Sequence, residues 1–138
     1  MLKFTAISLE RSKVDLLAVP VCKDQTIHDD PQVLKLIAAA AALEEFSGEA
    51  EQEIILYHPA KSEVQRCLYK GIGPREKITA EILRVFAGHA VKAAMKAKRR
   101  DLIIAVPSAP SVGLDTRTVV QAIMEGALLA NHVFDKYK

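Results

Sequence analysis

The sequence predicts an α/β domain of three layers, with helices on both faces of a mixed, partly parallel sheet. Three observations point there. Extended runs alternate with long helical patterns, which implies helical crossovers and therefore parallel strands. One run, Val14 to Cys22, is apolar almost throughout, as a strand covered on both faces must be. Two further runs, Glu53 to His58 and Val64 to Ile72, flank the turn-like Pro59-Ala60-Lys61-Ser62, which suits a hairpin and adds an antiparallel pair. With 138 residues, half of them apolar, the chain suffices for one such domain with its own core and is too short for two ordinary ones.

Taken in order, Lys3 to Leu9 alternates in character and reads as the first strand, and Val14 to Cys22 as the second. Pro20 has no amide hydrogen to give to a ladder, which argues for a place at a strand end or a sheet edge. Asp30-Pro31 opens a helix, because the carboxylate caps free amides and the missing proline N–H costs nothing in a first turn. Leu34, Ile37, Ala38 and Ala41 share one face at helical spacing, and Ser47-Gly48 breaks the pattern, so this helix is predicted from about 31 to about 46.

After the hairpin, Thr79 caps a second helix in which Ile82, Val85, Phe86, His89, Ala90 and Ala93 recur at three- and four-residue steps. It closes on Lys96, Lys98, Arg99 and Arg100, cations that complement the negative end of the helix dipole. Asp101 to Val106 is a short strand, and Pro107 to Gly113 a loop rich in proline, serine and glycine. The last helix runs from about Thr116 to Tyr137, with Val120, Ile123, Ala127, Ala130 and Phe134 on one face. No internal repeat or low-complexity segment interrupts this order.

A net charge of only +2 gives no general reason to invoke nucleic acid or an anionic membrane, so any basic binding face has to be local. The longest apolar stretch, Leu36 to Leu43, is far below the roughly 20 residues that span a bilayer. No membrane partner is expected. The start, Met1 to Thr5, lacks the apolar core and cleavage site of a secretory signal, so a cytoplasmic location is expected. Cys22 and Cys67 lie among apolar neighbours and read as reduced core thiols, with a disulfide between them left open.

Little of the chain spells chemistry. His28, His58, His89 and His132 are all widely separated, and none forms the close pair on one helix face that many zinc sites use. Ser108 and Ser111 sit in Pro107 to Gly113, which lacks the strand-to-helix elbow of a hydrolase serine. Asp29-Asp30 and Glu44-Glu45 are adjacent pairs that serve capping and solvation. Lys70-Gly71-Ile72-Gly73-Pro74 is the one candidate for an anion-binding turn, through Gly71 and Gly73 at the end of a buried strand. It has neither the third glycine of a dinucleotide fingerprint nor the lysine-serine ending of a phosphate loop, and Pro74 removes one amide hydrogen. Lys92, Lys96, Lys98, Arg99 and Arg100 form the candidate DNA-contacting patch, against the plainer reading of a solvated helix end.

Four stretches resemble a known family. Val14-Asp15-Leu16-Leu17-Ala18-Val19-Pro20-Val21 resembles the second strand of the amino-terminal domain of the M17 leucyl aminopeptidases, or cytosol aminopeptidases. Leu68-Tyr69-Lys70-Gly71-Ile72-Gly73 resembles that domain's strand ending in Gly-Leu-Gly, and Glu81 to Gly88 its central helix. The most specific stretch is Glu125 to Lys138, close to the family's Glu-Gly-x-x-Leu-Ala-x-Tyr-x-Phe-Asp-x-Tyr-Lys, with His132 in place of a tyrosine and Ile72, earlier, in place of a leucine.

The resemblance implies a macro-like α/β/α domain and a homohexamer with this domain on the outside. It also implies that peptide hydrolysis belongs elsewhere. In that family, water is activated between two divalent metals, zinc or manganese, held by aspartate, glutamate and lysine in a carboxy-terminal catalytic domain. The signature of that domain, Asn-Thr-Asp-Ala-Glu-Gly-Arg, does not occur in these residues, so no catalytic or metal-binding residue is carried over. The expectation is therefore one non-catalytic domain spanning residues 1–138, an assembly scaffold whose partners are its own catalytic domain and further copies. Peptide substrate would be met only through the absent domain. Two alternatives accompany it: a nucleotide or ADP-ribose binding module, which macro-like folds imply, and a DNA-binding regulator, a role known in some family members. The family pattern also continues with one more strand after Lys138, which implies an exposed sheet edge or apolar strip.

Overall fold

The apolar run after Asp15 becomes the middle of the sheet. β1, Leu16–Cys22, is buried at all seven positions, as a strand with neighbours on both sides and helices on both faces has to be. The structure, a computed structural model, describes residues 15–43, 46–57, 66–98 and 101–136, with side chains of the last helix described as far as Asn131. The predicted first strand, Lys3 to Leu9, lies outside the described residues, as do Glu44-Glu45, the turn at Pro59 to Ser62, Arg99 and Arg100.

Among the described residues the sheet has four strands in the order β2-β3-β1-β4. β2 is Glu53–Tyr57, β3 is Arg66–Gly73 and β4 is Leu102–Ile104. β1 pairs in parallel with β3 and with β4, and β2 pairs antiparallel with β3, so the mixed sheet and its hairpin pair form as the sequence indicates. Alternation along the strands divides the interior in two. Leu17, Val19 and Val21 of β1 join Cys67 and Tyr69 of β3 on one face, while Leu16, Ala18 and Cys22 join Leu68 and Ile72 on the other. This settles the cysteines: both are free and buried, and they belong to opposite faces.

The first face is covered by α1, Pro31–Ala41, capped by Asp30 accepting from the Gln32 amide at 2.8 Å. The helix is shorter than predicted and turned. Its buried residues are Val33 and Ala40, with Leu36 and Ile37 packed behind them, whereas Ala38 and Ala41 are exposed. Alanines fit either side of a helix, so the larger apolar side chains decide which face meets the sheet. The Tyr69 hydroxyl donates to the Leu36 carbonyl at 2.7 Å and ties β3 to this helix.

The second face carries two helices. α2, Ala80–Lys96, is capped by Thr79 and packs on β1, β3 and β4, and α4, Thr116–Lys136, packs along α2. Between β4 and α4 the predicted loop includes one helical turn, α3, Ala109–Val112. The buried arc of α2 is Leu83, Phe86, Ala87, Ala90, Val91 and Ala94, so Val85, predicted on the apolar face, is exposed, as is His89 at the edge of that face. The reason is that α2 must face the sheet and α4 together, which moves the centre of its apolar arc. α4 is likewise turned: Val119, Ala122, Ile123, Ala127 and Ala130 are buried, and Val120 is not.

The two helices approach most closely at Gly126, where an added Cβ would lie 2.0 Å from the Arg84 carbonyl oxygen. Across that seam Arg84 reaches Glu125 at 3.8 Å, while within α2 it pairs with Glu81 at 2.6 Å. Among the described residues, β2 and β4 are the outer strands. On β2 the outward side chains Ile55 and Tyr57 are exposed, with the Arg66 guanidinium 5.9 Å from the Tyr57 ring centre.

Candidate functional site

β1 and β3 are adjacent and parallel, yet the helices that follow them leave for opposite faces, α1 after β1 and α2 after β3. Their carboxyl ends therefore form the point where the winding of the sheet reverses, and in open α/β sheets that is where a crevice forms.

Pro20 determines much of what happens there. It was expected at a strand end or edge and instead lies inside the central strand, opposite Lys70 of β3. The structure shows why this is tolerated. β4 pairs with β1 only as far as Ala18, whose carbonyl accepts from the Ala105 amide at 2.9 Å. Two residues on, Pro20 faces the same side after β4 has ended, so no ladder bond needs its missing amide hydrogen. Its carbonyl is satisfied by the Nε2 of His28 at 2.8 Å. His28 is the buried polar residue among those described, 6% exposed. Because the Pro20 oxygen only accepts, Nε2 carries the hydrogen and Nδ1 is left as an acceptor. Burial, first, pulls the pKa of His28 below the ordinary imidazole value, with its bond to Pro20 and the nearby Asp29 and Asp30 opposing.

Short bonds lash the loops around this end. The Lys23 amide donates to the Gly73 carbonyl and the Gly73 amide to the Gly48 carbonyl, each at 3.0 Å, and the Gly71 amide to the Gln52 carbonyl at 2.8 Å. Gly71 is needed for close approach, since a Cβ there would lie 2.1 Å from the Glu49 carbonyl oxygen. The amide hydrogens of both glycines singled out in the sequence are thus engaged by neighbouring backbone. Gln52 Oε1 accepts from the Ser47 amide, the Ser47 hydroxyl and the Glu49 amide, fixing the chain that enters β2. Asp24 accepts from the Arg75 amide at 3.0 Å, which, first, lowers its carboxyl pKa. Ser111 offers its carbonyl to Gln25 and to the Arg75 guanidinium, and the Ser108 amide donates to the Ile27 carbonyl, so both residues serve here through their backbone.

Between these loops and α1 lies an open pocket of about 230 Å³. Val21, Ile27, Ile37, Ala41 and Phe46 supply apolar wall, and His28 lines it with them. None of these residues stands out in the sequence by motif. The available signal was indirect: a proline in a run apolar enough to be central leaves a carbonyl needing a donor.

Of the basic residues, Lys92 and Lys96 lie one turn apart on the exposed side of α2, and Lys98 follows the helix with a φ of 56°. Arg99 and Arg100 lie outside the described residues. Among the described residues, no three His, Cys, Asp or Glu side chains are grouped to hold a metal ion. Among the same residues, no helix is long and apolar enough to cross a membrane.

Among the described residues, a mixed four-stranded sheet with helices on both faces and a small crevice at the carboxyl ends of β1 and β3 defines an α/β domain. The family pattern described as the cytosol aminopeptidase family, N-terminal domain, matches residues 19–138, and this chain belongs to that family as its amino-terminal domain. It is similar to a probable cytosol aminopeptidase of Acidobacterium capsulatum, 31% identical over 83% of this chain and 22% of the relative. Similar proteins of the same description occur in a Geobacter species, 35% identical over 71% of this chain and 19% of the relative, and in Desulfovibrio desulfuricans, 25% identical over 99% and 28%. The chain thus spans about a fifth to a quarter of the length of the curated relatives it matches.

Proposed function

We propose that this domain is the assembly and scaffold part of a metallo-aminopeptidase and is inactive alone. The carrying observation is that the match over residues 19–138 is to the family's amino-terminal domain, while the chain covers 22% of its Acidobacterium relative. In this reading, peptide hydrolysis and the two divalent metals, zinc or manganese, belong to a carboxy-terminal catalytic domain, and the assembled cytoplasmic enzyme is a hexamer with this macro-like domain outermost. What the present residues supply is shape. Leu128 and Leu129 of α4 are 46% and 61% exposed, apolar surface suited to covering by the catalytic domain or another subunit.

The test is to assay the purified chain on leucine p-nitroanilide with manganese or zinc, beside a full-length family member. No turnover by the chain is expected. Measurable turnover that survives mutation-free repurification and is abolished by chelation would refute the division of roles.

A second reading rests on the exposed Lys92, Lys96 and Lys98 at the end of α2, which suit a phosphate backbone. Charge reversal at Lys92 and Lys96 should then weaken duplex binding and flatten its dependence on salt; unchanged affinity rejects it.

A further inference from the structure

The outer edge of β2 is unprotected. β2 runs antiparallel to β3 with Glu53 opposite Lys70 and Tyr57 opposite Arg66, and one residue before it the Gln52 carbonyl accepts from the Gly71 amide at 2.8 Å. Bonded and non-bonded pairs alternate along such a ladder, so Ile54 and Leu56 turn their backbone groups toward β3, and Glu53, Ile55 and Tyr57 turn theirs outward. Among the described residues no strand lies beyond β2. Proteins blunt an edge of this kind with proline, lysine or a bulge. Glu53-Ile54-Ile55-Leu56-Tyr57 has none of them: its register with β3 is regular, and its one charge stands at its first residue. Ile55 shares the α2 side of the sheet with Leu68, yet α2 lies over β1, β3 and β4, which leaves Ile55 and Tyr57 44% and 73% exposed.

The sequence of this edge is complementary to itself. About a two-fold axis at Ile55, two copies of β2 run antiparallel, with Ile55 opposite the partner's Ile55 and Glu53 opposite the partner's Tyr57. Every outward residue then meets an outward residue, and each such pair exchanges two backbone hydrogen bonds. Other two-fold registers pair fewer of these residues, and the one centred on Glu53 sets two carboxylates face to face. In the register centred on Ile55, Lys70, Glu53, the partner's Tyr57 and the partner's Arg66 follow one another in a single row, so opposite charges alternate across the seam. The neighbouring row is apolar: Leu68, Ile55, the partner's Ile55 and the partner's Leu68. We infer that β2 is a contact between two copies of this chain, joined edge to edge in this register so that one sheet runs through both. The contact uses neither Leu128 nor Leu129. It deepens the assembly role proposed above and rests on it for its purpose; pairing is measured without turnover, so the two readings can fail separately.

A five-residue edge is far smaller than the roughly 1,200 Å² of stable interfaces, so the dimer is reversible. Sedimentation velocity of the 138-residue chain from about 10 μM to about 1 mM should show monomer giving way to dimer. Ile55→Pro removes an amide hydrogen that β3 does not use and should abolish the dimer. Ile55→Lys keeps that hydrogen but opposes like charges at the axis, and should weaken pairing about tenfold. Urea unfolding shows that each variant is folded. Cysteines read the register, because the Cα atoms of a bonded pair are about 5.5 Å apart, within disulfide reach. Ile55→Cys should oxidise to a covalent dimer, and Glu53→Cys should cross-link with Tyr57→Cys but not with itself, while Cys22 and Cys67 are buried and do not compete. A chain that stays monomeric at the highest concentration, or a dimer undiminished in both folded Ile55 variants, overturns the inference. Self-cross-linking of Glu53→Cys as fast as that of Ile55→Cys also overturns it.

Discussion

Two glycines facing one another across α2 and α4 look equivalent in sequence and should respond oppositely to the same mutation. At Gly126 an added methyl would sit 2.0 Å from the Arg84 carbonyl oxygen, and ordinary contact begins at about 3.4 Å, so the helices must part by about 1.4 Å. The clashing atom is helix backbone and has no rotamer by which to escape. Overpacking of this severity costs about 3 kcal/mol, the upper part of the usual range. Replacing a helical glycine by alanine gives back about 1 kcal/mol. The net expectation for Gly126→Ala is a loss of about 2 kcal/mol. For a chain of 138 residues this lowers Tm by roughly 7 °C. At Gly88 the nearest atoms to the new methyl are the Gly126 carbonyl oxygen at 3.5 Å and the Ala130 methyl at 3.8 Å, which is ordinary contact. Gly88→Ala should therefore keep the propensity gain and stabilise by about 0.5–1 kcal/mol. Urea unfolding followed by circular dichroism measures both. If Gly126→Ala unfolds at the wild-type midpoint, or if Gly88→Ala is the more damaging of the two, the close helix contact described above is wrong.

Other consequences are simpler to check. Tyr69→Phe removes the bond to the Leu36 carbonyl and should lower stability by about 1 kcal/mol in the same urea experiment. Burial pushes the Cys67 thiol up to about 12 and raises Cys22 as well, so neither should react with a disulfide reagent at mildly alkaline pH until the chain is unfolded. His28 has a folded-state pKa below its unfolded value, so the unfolded chain takes up the proton first as pH falls. Stability should accordingly drop from about pH 6.5 downward until the lower folded pKa is passed. A urea series across this window should show a flatter slope in His28→Asn than in the wild type. At Asp24 and Asp115, backbone amides, of Arg75 and Thr118, are the largest cause of the lowered carboxyl pKa values, so their contribution is present above the ordinary carboxylate range and is lost only at lower pH.

The legible part of the site was small, and the reason is specific to its residues. Lys92 and Lys96 could be placed together because a four-residue step on a helix returns to the same side, and they do share an exposed face. Gly71 and Gly73 were conspicuous at a strand end, but where their amides point depends on residues 48 and 52, which sequence spacing does not locate. His28 carried no motif at all. Its partner, the Pro20 carbonyl, became available only because β4 stops pairing at Ala18.

Local rules account for what the sequence alone determined: the order of strands and helices, the caps at Asp30 and Thr79, the antiparallel pair β2 and β3, and the four stretches that resemble the aminopeptidase amino-terminal domain. Capping and periodicity act within a few residues, so they can be read one segment at a time. Tertiary structure decided which arc of each helix is buried, why a proline fits in a central strand, and how two glycines of like appearance differ by the distance to one carbonyl. Each of those outcomes depends on a neighbour far along the chain, because close packing and the satisfaction of backbone groups are properties of the assembled interior.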